Sequence, residues 1–324
     1  MDAVRRLADA VLYEGYILWP YRRSALKNQK RWTFGGVYPP THSAAHPDDR
    51  AAVQAQVLLE AGAGRTVEVR VRFLHVVERR VRDSGGSFVD ELAVDGVRHL
   101  AWDEAVEREV VVRLELGSPP ARAPIAIAAA TEEEPLAGGA ALVRSWERLD
   151  GHVEVAADRV RDGLHRLTVR VANETPWAGD EREHALRQTF CSTHVVIHAP
   201  EGGLVSATDP PDELRDLVAA CANDGLWPVL VGEEGDRRTM LAAPIILEDY
   251  AQIAPESPGD LFDSGEIDRL LILNVLSLTE EEQEEMRATD PRAREILDRC
   301  AGLGPAELLP LHGAIRELRP AAIE

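Results

Sequence analysis

Between Val67 and Phe73 the side chains alternate with a period of two: Val67, Val69, Val71 and Phe73 are apolar, while Glu68, Arg70 and Arg72 are charged. Successive strand residues point to opposite faces, so this pattern suits a half-buried strand and would scatter its apolar groups around a helix. The stretch REVVVRLEL, from Arg108 to Leu116, repeats the pattern, and Gly85-Gly86 and Asp95-Gly96 supply turns between the two. Residues Val53 to Leu116 therefore read as β-rich, and the rest of the chain must provide a cover for the buried face.

The flanking sequence reads differently. Asp2 can cap a helix over residues 2–18, with Val4, Leu7, Ala8, Val11 and Leu12 at helical spacing and Pro20 as its stop. Residues 117–138 are rich in Pro, Ala and Glu and read as a linker. A second β-rich block follows, with strands expected at Val153 to Ala156, Leu167 to Val171, Thr193 to His198 and Leu226 to Val231. A helix capped by Asp209 and stopped before Gly225 lies within it. From Ala254 the chain turns helical: Thr279 with Glu282 forms a capping box, Asp290-Pro291 opens a second helix, and Gly304-Pro305 opens a third. The expected fold is α+β, two β-rich lobes with an N-terminal helix and a helical C-terminal tail. The expected domains are 1–118, 139–253 and 254–324.

Composition narrows the function classes. Of 324 residues, 45% are apolar, enough for a real core, and the net charge is −20. That charge disfavours nucleic acid and anionic membranes, and points to a basic surface on any protein partner. The longest apolar run without a charge, Leu270 to Leu278, falls short of the roughly 20 residues a membrane span needs. Three widely spaced cysteines (Cys191, Cys221, Cys300) suit a reducing compartment, and the N-terminus carries no targeting pattern. A cytoplasmic protein without membrane insertion is expected.

Charge and aromaticity are segregated along the chain. Tyr13, Tyr16, Trp19, Tyr21, Trp32, Phe34 and Tyr38 are seven of the sixteen aromatic residues, and among them lie Arg22, Arg23, Lys27, Lys30 and Arg31. Glu248 to Arg299 holds fifteen acids and five arginines, a local net charge of −10. Cations beside aromatic rings can hold an acidic partner, or they can clamp this chain's own acidic end. Both readings stay open at this point. Asp260 to Glu266 is the acidic stretch on which they are expected to separate.

Classical chemistry-bearing motifs are missing. No phosphate loop, dinucleotide fingerprint, nucleophile elbow or HExxH helix occurs, so no catalytic residue or cofactor is expected. Glu256, Asp260, Asp263 and Glu266 surround a Pro-Gly turn but lack EF-hand spacing. His42 and His46 could chelate on a helical turn, yet no third ligand is indicated; His194 and His198 would lie roughly 13 Å apart on a strand. No metal site is expected. Leu270 to Leu276 is apolar on almost every side of a helix and must be buried.

The stretch LYEGYILWPYRRSALKNQKRWTFGGVYP (Leu12 to Pro39) and the stretch from APIILEDY to AREILDR (Ala243 to Arg299) together resemble an uncharacterised bacterial family encoded in nickel–iron uptake-hydrogenase gene clusters. DPPDELRDLVAACANDGLWPVLVG between them fits the same family, so the resemblance spans most of the chain. It implies a non-enzymatic accessory protein that assists assembly, maturation or stabilisation of such a hydrogenase through contacts with its subunits or maturation factors. With the charge segregation, it makes Tyr16, Arg22, Lys27, Arg31 and Trp32 the expected partner surface. The alternative is an enzyme or small-ligand binder using a cleft between the two lobes.

Overall fold

A computed structural model describes residues 2–25, 28, 31–32, 34–179, 181–252 and 268–302. In chain order the elements are α1 (Asp2–Tyr13), α2 (Pro40–Ala45), β1 (Ala52–Glu60), β2 (Thr66–Arg82), β3 (Phe88–Val89), β4 (Glu91–Val94), β5 (Val97–Leu100) and β6 (Trp102–Glu115). Then come β7 (Ala121–Ile127), β8 (Ala130–Pro135), β9 (Ala141–Trp146), β10 (Leu149–Arg161), β11 (Leu164–Asn173), α3 (Arg182–Leu186) and β12 (Cys191–His198). The last are β13 (Gly203–Leu204), α4 (Arg215–Ala219), β14 (Trp227–Leu230), β15 (Thr239–Ala243), α5 (Asp268–Leu276), α6 (Glu280–Thr289) and α7 (Pro291–Ala301).

The fold is α+β and built on antiparallel sheets. A five-stranded sheet runs β13-β1-β11-β10-β7, and a larger one runs β14-β15-β12-β2-β9-β8, with β6 on the other edge of β2. The strand at the centre is the one whose alternation was plainest in the sequence. β2 extends over 17 residues and pairs with β6 from Thr66 to Arg79, keeping Val69 opposite Val112 and Val71 opposite Val110. Val67, Val69, Val71 and Phe73 face the smaller sheet and share one core with Val57, Val153, Val169 and Val195. The two sheets thus form a sandwich, whose apolar interior is the natural result of period-two strands meeting face to face.

The chain does not divide where the sequence suggested. β1, from the first expected lobe, lies between β13 and β11 of the second; β2 lies between β12 and β9. Strands of both expected lobes therefore fill the same core. The expected linker, 117–138, contains β7 and β8, each at the edge of a different sheet. Its prolines fit there: Pro124 and Pro135 lie in edge strands, where a missing N–H costs least.

Local signals fared better than boundaries. Asp95 and Gly96 both adopt positive φ (51° and 78°) at the β4–β5 turn, as a tight hairpin requires. Thr279 and Glu282 form the reciprocal capping box, and Asp290 caps α7 with Pro291 in its first turn. α1 stops at Tyr13, short of Pro20, because the chain turns through Gly15 at φ 72°, with Phe34 packed against it. The helix expected after Asp209 shrinks to a short turn, Asp212–Leu214, and the five-residue α4. α5 buries Leu271, Ile272 and Val275, but Leu276 is exposed, so that helix is covered on one side only. The helix expected at Gly304-Pro305 and the acids Glu256, Asp260, Asp263 and Glu266 lie outside the described residues.

A third layer covers the outer face of the large sheet. Val4, Leu7, Ala8 and Val11 of α1 pack on Val229, Leu241 and Ala243. Beside them, α5–α7 and the N-terminal aromatic segment pack together on Leu74, Val76 and Trp102.

Candidate functional site

The residues expected to form a partner surface turn mostly inward. Tyr16 is 2% exposed, Arg31 5% and Trp32 6%, so these three cannot present an open docking face. Arg22 is half-buried and pairs with Glu282 (3.1 Å) and Glu285 (3.9 Å) of α6. Lys27 lies outside the described residues. The expectation of an open surface is corrected for Tyr16, Arg31 and Trp32: aromatic groups beside an apolar sheet face gain more from burial than from solvent.

What these residues do instead is hold the C-terminal helices. The Tyr16 hydroxyl donates to Asp290 Oδ2 at 2.7 Å, and Asp290 Oδ1 caps α7 through the Arg292 N–H. The backbone N–H of Arg23 donates to Thr289, and that of Ser24 to Glu285. Arg292 lies over the Tyr13 ring at 3.5 Å, while the Tyr13 hydroxyl donates to Glu107 of β6. From the sheet side, Arg79 donates to the carbonyls of Ala288 and Thr289 at the end of α6. Burial, then the charge of Asp290, pushes the Tyr16 hydroxyl well above its ordinary value, so it stays a donor.

Arg31 is the centre of this clamp. Its guanidinium is flanked by the rings of Trp102 (3.7 Å) and Trp32 (4.2 Å) and donates to the carbonyls of Tyr16 and Asp103. Burial lowers its pKa, although Tyr16 and Asp103 oppose that shift. The indole N–H groups of Trp32 and Trp102 are buried without an acceptor among the described residues. Trp32 and Tyr21 both hold left-handed backbone, φ 54° and 56°, a conformation costing about 1–3 kcal/mol at a bulky residue. Their buried side chains supply the packing that maintains it. Trp102 and Arg79 are partners that no local sequence signal announced, and Asp290 was announced only as a helix start.

Among the described residues the histidines do not converge on a metal site. α2 brings His42 and His46 within 4.4 Å, ring to ring, but His42 Nε2 is bonded to Asp49 Oδ2 at 2.9 Å and its ring stacks on Tyr38. Among the described residues no group of three or more His, Cys, Asp or Glu is placed to hold a metal ion. Burial pushes the Cys191 thiol up to about 12, which leaves it protonated.

A second feature arises from the pairing of β2. β12 pairs with β2 as far as Leu74, and β9 begins at Glu78 on the same edge. His75, Val76 and Val77 pair with β6 alone, so the sheet has a break between β12 and β9. A notch of about 290 Å³ opens there, lined by Val76, Glu78, Thr131, Ser145, Trp146 and Arg187, with Glu147 exposed at its rim. Register places Glu78 opposite Ser145, and Ser145 opposite Thr131, so three strands carry a polar row on one face. Glu78 accepts from Arg187 at 3.0 Å and from Ser145 at 3.4 Å. Behind the notch His75 is fully buried; burial, then the charge of Arg108, lowers its pKa to about 4 and keeps the ring neutral. The sequence held no sign of this notch, because it comes from two strands sharing one edge of a third. Comparison of the chain with protein-family models and with curated proteins finds no match.

Proposed function

We propose that this is a cytoplasmic, non-enzymatic accessory protein that assists assembly, maturation or stabilisation of a nickel–iron hydrogenase through protein–protein contacts. The observation that carries the reading is the long resemblance in Leu12 to Pro39 and Ala243 to Arg299. The structure adds a physical reason why those stretches go together: Arg22, Tyr16 and Ser24 bond to α6 and α7, so the two segments act as one unit. Because Arg22, Arg23 and Arg31 are engaged internally, the contact surface offered to a partner is dominated by acid, and the partner's face is basic. Co-purification tests this: tagged protein from cells expressing the hydrogenase genes should carry hydrogenase subunits or maturation factors with it. Recovery of the protein alone under those conditions overturns the proposal.

A second reading is a small-ligand binder, favoured by the notch at Glu78, Ser145 and Arg187, which draws residues from both halves of the chain. At about 290 Å³ it lies at the lower limit of ordinary ligand sites. A thermal-shift screen of amines, amino acids and carboxylates distinguishes the readings: saturable stabilisation lost in Ser145→Val supports the ligand site, and no shift with any compound removes it.

A further inference from the structure

We infer that the β8 edge and the adjoining notch form a docking site for an extended, basic segment of a partner protein, which adds a strand to β8 and places a lysine or arginine side chain in the notch. This rests on the protein-contact reading above and names the chemistry of the contact.

The edge is the first observation. β8 is the outermost strand of the large sheet, paired with β9 on one side, and all six of its residues, Ala130 to Pro135, are exposed. An unpaired strand edge is a template for another strand, and proteins guard such edges with charge and proline. Here the guard is selective. Glu132, Glu133 and Glu134 bring glutamate against glutamate if a second copy approaches antiparallel, so self-association is opposed. Glu133 accepts from Arg82 and Glu134 from Arg144, each at 2.7 Å, so among the described residues Glu132 is the edge carboxylate with no arginine bonded to it, and a lysine- or arginine-bearing strand meets the opposite sign there. Pro135 ends the edge on one side, and the Thr131 end leads to the notch.

The cavity is the second. Its row of Glu78, Ser145 and Thr131 offers a carboxylate and two hydroxyls to a cation, and Glu147 stands at the rim. Trp146 lines one wall, its indole N–H donating to Ala128 at 3.1 Å, which fixes the ring in place. A carboxylate and an aromatic ring around a space that fits one long side chain is the arrangement that recognises ammonium or guanidinium groups. Arg187 (3.0 Å) and Arg80 (3.7 Å) hold Glu78 in position and Arg108 lies over the Trp146 ring at 5.8 Å, so the rim carboxylate of Glu147 is the lining charge left for an incoming cation. The chain's overall charge of −20 attracts the same partner at long range.

The test uses the full chain and a fluorescein-labelled peptide of about eight residues, a typical strand length, alternating lysine with threonine or valine. Its counterpart with glutamate for lysine is the control. The lysine peptide should bind saturably, weaken with added salt, and lose about tenfold in affinity with Glu147→Lys or Trp146→Ala, while the glutamate peptide should not bind. Glu147 is exposed, so Glu147→Lys keeps the measurement valid even if Trp146→Ala fails to fold. Equal binding of both peptides, no saturable binding of the lysine peptide, or unchanged affinity in Glu147→Lys overturns the inference. Co-purification separates it from the hydrogenase reading. If subunits co-purify equally with wild type and Glu147→Lys, this site is wrong and the function stands. If the peptide binds as expected but no subunit co-purifies, the site stands and the hydrogenase assignment falls.

Discussion

The two sides of the large sheet are held by different physics. Toward the smaller sheet, the core is nearly all aliphatic, with Phe73 and Phe190 as its large rings, 4.7 Å apart. Toward the helices, the contact is aromatic and polar: Tyr16, Trp32 and Trp102 surround the buried Arg31, Tyr13 and Tyr21 pack in the same cluster, and the buried Asp290 receives the Tyr16 hydroxyl. Burial of aliphatic surface is non-directional and tolerates substitution of similar volume. A buried hydrogen bond is directional, and removing one partner leaves the other desolvated and unpaired. The sandwich is thus a generic core. The helical layer is a specific lock, keyed by partners far apart in the chain.

Truncation in the sandwich should have the largest effect. Phe73→Ala removes a fully buried ring from the centre of β2 and should cost about 3–5 kcal/mol in urea unfolding. The whole chain should lose stability together, because β2 packs on the smaller sheet through one face and on the helices through the other. A cost below about 1 kcal/mol would mean that the sandwich is not the main store of stability.

Acid comes next. Burial and nearby arginine charge depress His75 to about 4 and His194 to about 3, below the ordinary 6.5. Since the folded values lie below the unfolded one, the unfolded chain takes up protons first as pH falls. Stability should be full above pH 6.5 and decline from there toward pH 4, by about 1.4 kcal/mol per unit for each histidine. Between pH 6.5 and 5.5 the two together should remove about 2–3 kcal/mol in chemical denaturation, and replacing His75 with Gln should reduce the slope by about half. A flat profile over that range would show that these rings reach solvent.

The smallest effect is the most diagnostic of the comparison. Tyr16→Phe keeps the packing and deletes the donor to Asp290, for an expected cost of about 1–2 kcal/mol. Hydrogen exchange should show α6 and α7 losing protection while β2 and β6 keep theirs, since only the lock is weakened. Uniform loss across all layers would mean that the helices and the sandwich unfold as one unit, with no separate lock.

Much of the architecture was legible in local pattern. The alternation of Val67 to Phe73 specified β2 and the face it buries; the capping box at Thr279 and the Asp290-Pro291 cap specified two helix starts; Asp95-Gly96 specified a hairpin. Each of these is decided by neighbours within a few residues. The candidate site was legible only as a list of residue types. Tyr16, Arg22, Arg31 and Trp32 stood out in the sequence, but their neighbours Asp290, Glu282, Trp102 and Asp103 come from segments up to 274 residues away. No spacing rule links residues so distant, so the sequence left open whether these cations faced outward or inward.

By itself, then, the sequence determined the strand and helix character of most segments, the strongly acidic charge, and the concentration of aromatic rings near the N-terminus. Which strands pair, and therefore where the domains end, was decided only by the tertiary structure. β1 chose β11 and β13, and the supposed linker became two sheet edges. The reason is that antiparallel pairing satisfies backbone groups that every strand carries alike. Alternation says which face of a strand is buried, and the neighbour is selected by the packing of the whole core.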